Sequence, residues 1–328
     1  TLIVVPTTSL VEQMYKDFES YGWNAETYCQ KVYAGLEKEV RKSVVITTWQ
    51  SIYKLPKVYF ENFEVVVGDE AHQFKSASLV KIMTKLHQAK YRYGFTGTLD
   101  GTQTHKLVLE GLFGPSYKTI RTHELMEKGY LARLNAKIIL LKHPPTAFDL
   151  YEDEIQYLIS HDQRNKFLKN LALDLKGNTL ILYSRVETHG EILYNMINNN
   201  DDRKVFFIHG KVDVENRELA REITEKENNA IIVASYGTFS TGINIKNLHN
   251  VIFASPSKSR IRNLQSIGRV LRKGSNKFKA TLYDIADDCS TETKRNYTLN
   301  HLFERIKIYN DENFNYDLVK VTLKEKHD

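Results

Sequence analysis

Cysteine is scarce in this sequence, and long apolar runs are absent. The 328 residues include two cysteines, Cys29 and Cys289, which form no CxxC pair. This argues against a disulfide framework or a structural zinc site and favours a reducing compartment, so the expected location is cytoplasmic. Apolar runs such as Leu2–Val5 and Ile231–Ala234 are strand-sized and far shorter than the roughly 20 residues that span a bilayer. We therefore expect no membrane segment, and the N-terminus lacks the features of a signal peptide.

A strong charge of one sign is also missing. The net charge is +6, with 26% charged and 41% hydrophobic residues, close to the average for globular proteins. This composition excludes wholesale disorder and collagen. The small positive balance permits nucleic-acid binding without demonstrating it. At about 150 residues per domain, the length suggests two domains.

Short β-branched runs alternate with amphipathic helical stretches in both halves of the chain. The runs predict strands at Leu2–Val5, Val44–Thr47, Val65–Val67, Tyr93–Thr96, Thr179–Tyr183, Lys204–Ile208, Ile231–Ala234, Val251–Ala254 and Ala280–Asp284. Helices are predicted at Ser9–Tyr21, His189–Asn199, Val214–Lys226 and Leu299–Asn310. Continuous apolar strands joined by helices predict an α/β fold with two mostly parallel sheets, each covered by helices on both faces.

Prolines and polar residues in the sequence suggest where these two domains end. We expect a first domain at 1–138, a linker at 139–160 that contains Pro144 and Pro145, a second domain at 161–296 and a C-terminal helical extension at 297–328. The chain opens directly on the apolar run at Leu2, without a lead-in. This start indicates that the first domain is N-terminally incomplete.

An acidic motif follows one of the predicted strands. The run Val65–Val67 leads through Gly68 to Asp69, Glu70 and His72. Ligands of open α/β sheets bind beyond the carboxyl ends of the strands. There an aspartate can hold Mg²⁺ and a glutamate can polarise a water for attack on a phosphate. The alternative is a strand-to-helix turn in which Asp69 caps the helix and His72 is a turn residue.

A basic motif lies near the end of the second domain. On a helix, Gln265, Arg269 and Arg272 would share one face, because they are spaced i, i+4 and i+7. Guanidinium groups on one face can stabilise a developing phosphoryl charge. An exposed basic helix face is the alternative. Gly268 costs a mid-helix position about 1 kcal/mol relative to alanine, which suggests a close approach to something.

The order of these and further motifs resembles that of superfamily 2 helicases. The resemblance covers about residues 2–290 and rests on Val4–Leu10 (motif Ia), Ile46–Ser51 (motif Ib), Asp69–His72 (motif II), Phe95–Thr98 (motif III), Thr179–Arg185 (motif IV), Val233–Asn244 (motif V) and Gln265–Arg272 (motif VI). Within that superfamily the chain resembles the phage UvsW-type helicases, through Thr48–Gln50, Val233–Ile243, Lys246–His249, Ile267–Lys273 and Phe303–Tyr316. The resemblance implies two tandem RecA-like domains.

The family also implies roles around a bound nucleotide. Asp69 would position Mg²⁺, Glu70 would activate water, and Gln265 would couple to the nucleotide or to His72. Arg269 and Arg272 would reach ATP phosphates across the interdomain cleft, beside residues expected to line the ribose and phosphates (Gly242, Asn244). Thr96 and Thr98 would link hydrolysis to domain movement. Tight turns and strand-end capping are the alternatives for the glycine and the threonines.

A second set of residues would contact DNA phosphates. On the first domain these are Thr7, Thr8, Thr47 and Thr48, and on the second His209, Gly210, Thr238 and Arg185. For each threonine, helix or strand capping is an equal alternative, and for Arg185 a surface role is the default. Trp49 could stack on a base but is more often part of a core.

The family resemblance implies an ATP-dependent motor for branched DNA. Its reactions would be fork regression, Holliday-junction branch migration and R-loop unwinding on branched, forked or single-stranded DNA, with single-strand-binding or recombination proteins as partners. The sequence contains no GxxxxGK[ST] phosphate loop, and we expect that loop upstream of Thr1. Three alternatives stay open: a double-strand DNA translocase, an RNA helicase of DEAH type and a non-hydrolysing nucleic-acid-binding module.

Overall fold

The computed structural model describes residues 1–97, 99, 103–117, 120–199, 203–242, 245–257, 259–272, 277 and 279–323. It divides the chain into two compact units, Thr1–Lys118 and Thr119–Asp328. Each unit carries a parallel sheet with helices, so the predicted α/β class is confirmed. No helix among the described residues is long and apolar enough to cross a membrane.

The first unit alternates short strands and helices. Its strands are β1 (Leu2–Val5), β2 (Cys29–Val32), β3 (Val44–Thr48), β4 (Val65–Asp69) and β5 (Tyr91–Phe95). Its helices are α1 (Thr8–Ser20), α2 (Ala25–Tyr28), α3 (Trp49–Ile52), α4 (Lys57–Phe60), α5 (Ala77–Lys85) and α6 (Gln103–Phe113), with a 3₁₀ helix at Ala71–Gln73. In the described part of this unit all strand pairs are parallel, in the order β2-β3-β1-β4-β5.

Alternate residues of β1 face two separate cores. Leu2 and Val4 belong to one core, whereas Ile3 and Val5 belong to the other. The centre of this sheet is therefore covered on both faces, as parallel sheets usually are. Strand β5 at the edge differs, because its aromatic side chains are half-exposed or more: Tyr91, Tyr93 and Phe95.

The second unit is larger. Its strands are β6 (Arg133–Lys142), β7 (Thr179–Tyr183), β8 (Val205–Ile208), β9 (Ile231–Ser235), β10 (Asn250–Phe253), β11 (Lys279–Asp288) and β12 (Tyr316–Thr322). Its helices are α7 (Thr122–Glu127), α8 (Tyr151–Ser160), α9 (Asp162–Asp174), α10 (Glu191–Asn198), α11 (Val214–Lys226), α12 (Tyr236–Gly242), α13 (Arg260–Val270) and α14 (Tyr297–Asp311), with a π-helical turn at Val186–Gly190. Its described strands pair in parallel in the order β12-β6-β11-β10-β7-β9-β8.

The division between the units differs from the predicted one. Strand β6 pairs along its whole length with β11, and alternate residues face two cores, Ile138 and Leu140 on one side and Ile139 and Leu141 on the other. It therefore belongs to the second unit, although the predicted first domain ended inside it, at residue 138. The predicted linker, 139–160, contains the end of β6 and all of α8. The two prolines follow an interior strand of the second sheet and do not mark a boundary between the units.

The C-terminal residues are also part of the second unit. The predicted helix is present as α14, and the aromatic segment after it forms β12, which pairs with β6 from Tyr316 to Thr322. The predicted extension at 297–328 is thus built into the sheet as far as residue 323, and residues 324–328 lie outside the described chain.

Candidate active site

The acidic motif forms a sharp turn at the carboxyl end of β4. Asp69 is the last residue of the strand, and Glu70 adopts a left-handed conformation with φ 50° and ψ 50°. A non-glycine residue in this region is uncommon, and such strain, worth about 1–3 kcal/mol, clusters at functional sites. Gly68 is required for close packing, because a Cβ there would lie 2.6 Å from the ring of Phe74. The apolar strand is therefore interrupted by a glycine for a steric reason.

His72 connects this turn to the end of the neighbouring strand. Its side chain is buried, and its Nδ1 lies 3.0 Å from Thr96 Oγ1 and 3.3 Å from Glu70 Oε2. A carboxylate only accepts hydrogen bonds, so an N–H at Nδ1 of His72 would suit the contact with Glu70. The structure thus brings together three residues of the predicted site, Glu70, His72 and Thr96. The parallel pairing of Asp69 with Phe95 explains why they meet.

The surroundings of Asp69 favour a positive ligand. Burial raises the pKa of its carboxyl group and the charge of Glu70 raises it further, although the backbone N–H of Glu70 acts in the opposite direction. A cation beside Asp69 would remove this cost. The described residues offer no group of three or more His, Cys, Asp or Glu side chains for a metal. A Mg²⁺ ion would fit here only if water and substrate phosphates completed its oxygen ligands.

A small, open depression lies beside Asp69. Its lining residues are Val4, Val5, Pro6, Trp49, Asp69, Gln73, Phe74 and Leu79. Trp49 packs against the core of the first unit, and its ring meets that of Tyr53 edge to face, with 5.8 Å between the ring centroids. The core interpretation of Trp49 therefore has structural support. Gln73, which lines the same depression, was not predicted as a site residue.

The threonines of the first unit are not equally accessible. Thr47 and Thr48 are buried, and the Thr47 hydroxyl donates to the Thr48 carbonyl while the Thr48 hydroxyl lies 2.8 Å from Ser51 Oγ. Thr7 caps α1 by accepting a hydrogen bond from the backbone N–H of Leu10. Thr8, the first residue of α1, is exposed. Capping thus accounts for Thr7, and internal hydrogen bonds account for the two buried threonines.

The candidate phosphate contacts of the second unit follow the carboxyl ends of strands, and one of them, Thr238, lies within α12. His209 and Gly210 follow β8, and Gly210 is exposed. Thr238 is buried and accepts a hydrogen bond from Ser235 Oγ at 2.8 Å. Arg185 forms an ion pair with Glu152.

The basic motif is only partly helical. Gln265 and Arg269 lie on α13, but the helix ends at Val270 and Arg272 lies beyond it, in an antiparallel bridge with Leu131. The prediction that all three share one helix face is therefore wrong for Arg272. The backbone N–H of Ala132 donates to the Leu271 carbonyl at 2.8 Å, so pairing with the preceding segment replaces the last helical turn. Gly242 ends α12, whereas Thr98 and Asn244 lie outside the described residues.

Two arginines that were not predicted as site residues are fully buried. Arg164 of α9 and Arg305 of α14 pair with Asp287 and Asp284, both on β11. Each arginine lies on an amphipathic helix, where a charged residue is normally read as exposed. An arginine on the apolar face of an amphipathic helix would have been the sequence signal for this burial.

Two family descriptions match the chain. Residues 1–101 match the res subunit of type III restriction enzymes, and residues 163–274 match the helicase conserved C-terminal domain. The acidic turn lies in the first match and the basic helix in the second.

Known proteins resemble the chain over nearly all of its length. It is 36% identical over 344 residues to the ATP-dependent DNA helicase UvsW of Enterobacteria phage T4, with 98% of this chain and 68% of UvsW aligned. A protein of Acanthamoeba polyphaga mimivirus, provisionally named an ATP-dependent RNA helicase, is 26% identical, with 100% of this chain and 62% of its own length aligned. The chain thus spans about two thirds of these relatives.

Solved structures agree with this result. The crystal structure of T4 UvsW aligns with a TM-score of 0.51 at 34% identity, covering 98% of this chain and 68% of that one. The DNA-bound type ISP restriction-modification enzyme LlaBIII aligns with a TM-score of 0.66 at 14% identity, covering 100% and 28%, which supports the fold alone. With its identity to UvsW at this level, the chain belongs to the UvsW family within superfamily 2, the ATP-hydrolysing helicases.

Proposed function

We propose that this chain supplies the two motor domains of an ATP-dependent DNA helicase that remodels branched DNA. The observation that carries the proposal is the cluster of Glu70, His72 and Thr96 beside Asp69, at the carboxyl ends of β4 and β5. A partly exposed glutamate, held by a strained turn and a buried histidine, suits a group that must orient water toward a phosphate. UvsW is a phage protein, so we place the activity in the cytoplasm of an infected cell.

The residues would divide the chemistry as follows. Glu70 orients the attacking water, and Asp69 would hold Mg²⁺, which would neutralise charge on the phosphates when bound. Arg269 and Arg272 contact the phosphates, with Gln265 beside them, and Gly242 and Asn244 line the nucleotide. Hydrolysis and product release would then change which conformation of the protein is favoured, and cycles of this change would drive stepping along DNA. Thr96 and Thr98 would couple hydrolysis to that change.

The DNA contacts in this proposal are mainly to phosphates. Thr8 and Gly210 are exposed and His209 is partly exposed, so they are the strongest candidates. Arg185 can contribute if it exchanges its partner Glu152 for a phosphate. The side chains of Thr47, Thr48 and Thr238 are buried, and we leave them out of the proposed contact set. Thr7 contributes through the backbone amides at the start of α1.

The test measures ATP hydrolysis by the protein from the complete reading frame, with and without forked DNA. The wild type and a Glu70→Gln variant are compared. The proposal is supported if forked DNA stimulates ATP turnover by the wild type and the variant turns over ATP about 10²–10⁴-fold more slowly. DNA binding without any hydrolysis in the wild type would reject the motor and favour a binding module. Equal rates in the two proteins would reject the role of Glu70.

An RNA substrate is the second candidate, because the mimivirus relative carries the name of an RNA helicase. Stimulation of the same ATPase by matched DNA and RNA forks separates the two. A preference for RNA would overturn the proposed substrate but keep the motor. Movement along duplex DNA without strand separation is distinguished by comparing strand-displacement and triplex-displacement substrates, and branch migration is scored directly on a four-way junction.

A further inference from the structure

The segment between β10 and α13, Ala254–Ser257, is held in place from several directions; we call it the clamped segment. Its residues are buried. The side chain of Ser255 accepts a hydrogen bond from the backbone N–H of Ser184 at 3.1 Å and lies 3.1 Å from His189 Nδ1. The hydroxyl of Tyr236 donates to the Ser255 carbonyl at 3.2 Å. Ser184, His189 and Tyr236 thus all contact this short backbone stretch, which leads into the basic helix.

Two buried arginines complete this clamp. Arg164 Nη2 donates to the Ala254 carbonyl at 2.8 Å, and its Nε donates to Asp287 Oδ1 at 2.8 Å. Arg305 Nη1 donates to the Ser257 carbonyl at 3.2 Å, while its Nε donates to Asp284 at 2.8 Å. Each arginine is therefore fixed by a carboxylate on β11 and uses another N–H to hold a carbonyl of the clamped segment. A rigid guanidinium fork suits this double task.

The Ser257 carbonyl has a second donor on the basic helix itself. Asn263 Nδ2 of α13 donates to this oxygen at 3.2 Å. One carbonyl therefore links Arg305 of α14 to Asn263 of α13. Arg269 lies further along the same helix, so the direction of α13 at Asn263 determines where that guanidinium lies.

We propose that Arg305 is a positioning residue for the basic helix: it holds α13 through the Ser257 carbonyl and so places Arg269 for phosphate contact. The inference rests on the proposed ATPase function. It assigns a role to α14, which lies beyond the region that matches the helicase C-terminal domain, residues 163–274. The C-terminal helix is thus part of the motor and not an accessory to it.

Variants of the full-length protein test this role. Arg305→Lys keeps a cation near Asp284 but loses the fork that reaches Ser257, and Asn263→Ala removes the other end of the link. Tyr309→Phe is the matched control, because it removes a 2.7 Å hydrogen bond to the same Asp284 carboxylate without touching Ser257. The measurements are kcat and KM for ATP at saturating DNA, DNA affinity, the melting temperature and amide hydrogen exchange along α13.

We expect kcat to fall by about 10–100-fold in Arg305→Lys and in Asn263→Ala, the scale of a small misplacement of a reacting group. DNA affinity stays unchanged, and Tyr309→Phe keeps a wild-type kcat. The double variant is no slower than the slower single variant, because both changes break one link. A wild-type kcat in Arg305→Lys at temperatures where it is folded, or additive losses, would overturn the proposal.

Hydrogen exchange keeps the inference separate from the proposed function. Arg305→Lys should speed exchange of the α13 amides by about tenfold over Tyr309→Phe, because local opening becomes easier. Unchanged exchange would overturn the positioning role even if the wild type did not hydrolyse ATP. Absence of hydrolysis in the wild type would instead reject the proposed function.

Discussion

Aspartates occur on sheet strands in both units, but their environments are opposite. In the first unit Asp69 ends β4 and stays partly exposed, next to Glu70, whose side chain is 31% exposed. In the second unit Asp284 and Asp287 lie in β11 and are fully buried. The same residue type at the same kind of strand thus serves two purposes.

The partners of these carboxylates explain the difference. Burial alone would raise the pKa of Asp287, but Arg164 and His143 hold that pKa well below its usual range. Burial raises the pKa of Asp69, and the opposing causes are the backbone N–H of Glu70 and His72, not a guanidinium. A carboxylate whose partners are complete stabilises the fold, whereas one that still gains from a cation is available for chemistry.

The largest expected effect is the loss of the buried charge pair. Asp287→Asn leaves Arg164 buried without a counter-charge, and we expect a loss of about 3–5 kcal/mol in the free energy of unfolding. Asp69→Asn should change the free energy of unfolding by less than about 1 kcal/mol, because burial already disfavours the charged form of Asp69. Urea unfolding of both variants measures the contrast. Equal losses in the two variants would break the comparison.

The second expected effect is a difference between the two units in how their stability responds to acid. The folded-state pKa of Asp287 is depressed, so its stabilisation is present above about pH 4 and is lost as the pH falls. The pKa of Asp69 is raised, so its contribution has the opposite sign: it is present below about pH 4 and is lost as the pH rises.

Both tryptophans, Trp23 and Trp49, lie in the first unit. On acidification, helical circular dichroism should therefore fall before tryptophan fluorescence changes. A change in tryptophan fluorescence that precedes the fall in helical circular dichroism would contradict the expectation that acid destabilises the second unit first.

Sequence reasoning succeeded where the pattern is local. Helix α11 was predicted with the observed ends, Val214 and Lys226, and the acidic turn was found from a strand followed by two carboxylates. It failed where partners are distant. Strand β12 is mostly exposed and is defined by its pairing with β6, and β2 is a short, mixed run. Strand β6 was missed although its apolar run, Ile138–Leu141, is a local strand signal.

The buried arginines show the same limit at the level of side chains. Arg164 and Asp287 are separated by 123 residues, and nothing near either one indicates that they meet. The end of α13 was mispredicted for a similar reason, because the pairing of Leu271 with Ala132 is a tertiary contact. The left-handed conformation of Glu70 could not be predicted either, since no glycine or asparagine marks it.

A smaller effect on stability, with a larger one on activity, is expected at Thr96. Thr96→Val removes the hydroxyl that lies 3.0 Å from His72 Nδ1, which should cost about 0.5–1.5 kcal/mol. If Thr96 links hydrolysis to movement, strand displacement should fall more than ATP turnover. A matched change, Thr84→Val, removes a hydroxyl that donates to the Lys81 carbonyl on the exposed face of α5, and it should leave both activities unchanged. A proportional fall of the two activities in Thr96→Val would argue against coupling.

The smallest effect distinguishes the glycines that directly precede Asp69 and Arg269. Gly68 is packed against Phe74, whereas a Cβ at Gly268 would meet nothing within 4 Å. Gly268→Ala should therefore raise the free energy of unfolding by about 0.5–1 kcal/mol, since alanine is the better helix former. If stability rises and ATP turnover falls, the open space at Gly268 is used by a ligand or a partner surface, and the basic helix resembles the acidic turn in giving up stability for function. If both stability and turnover are retained or improved, the glycine has no such role, and the trade of stability for chemistry is confined to the strained turn at Glu70.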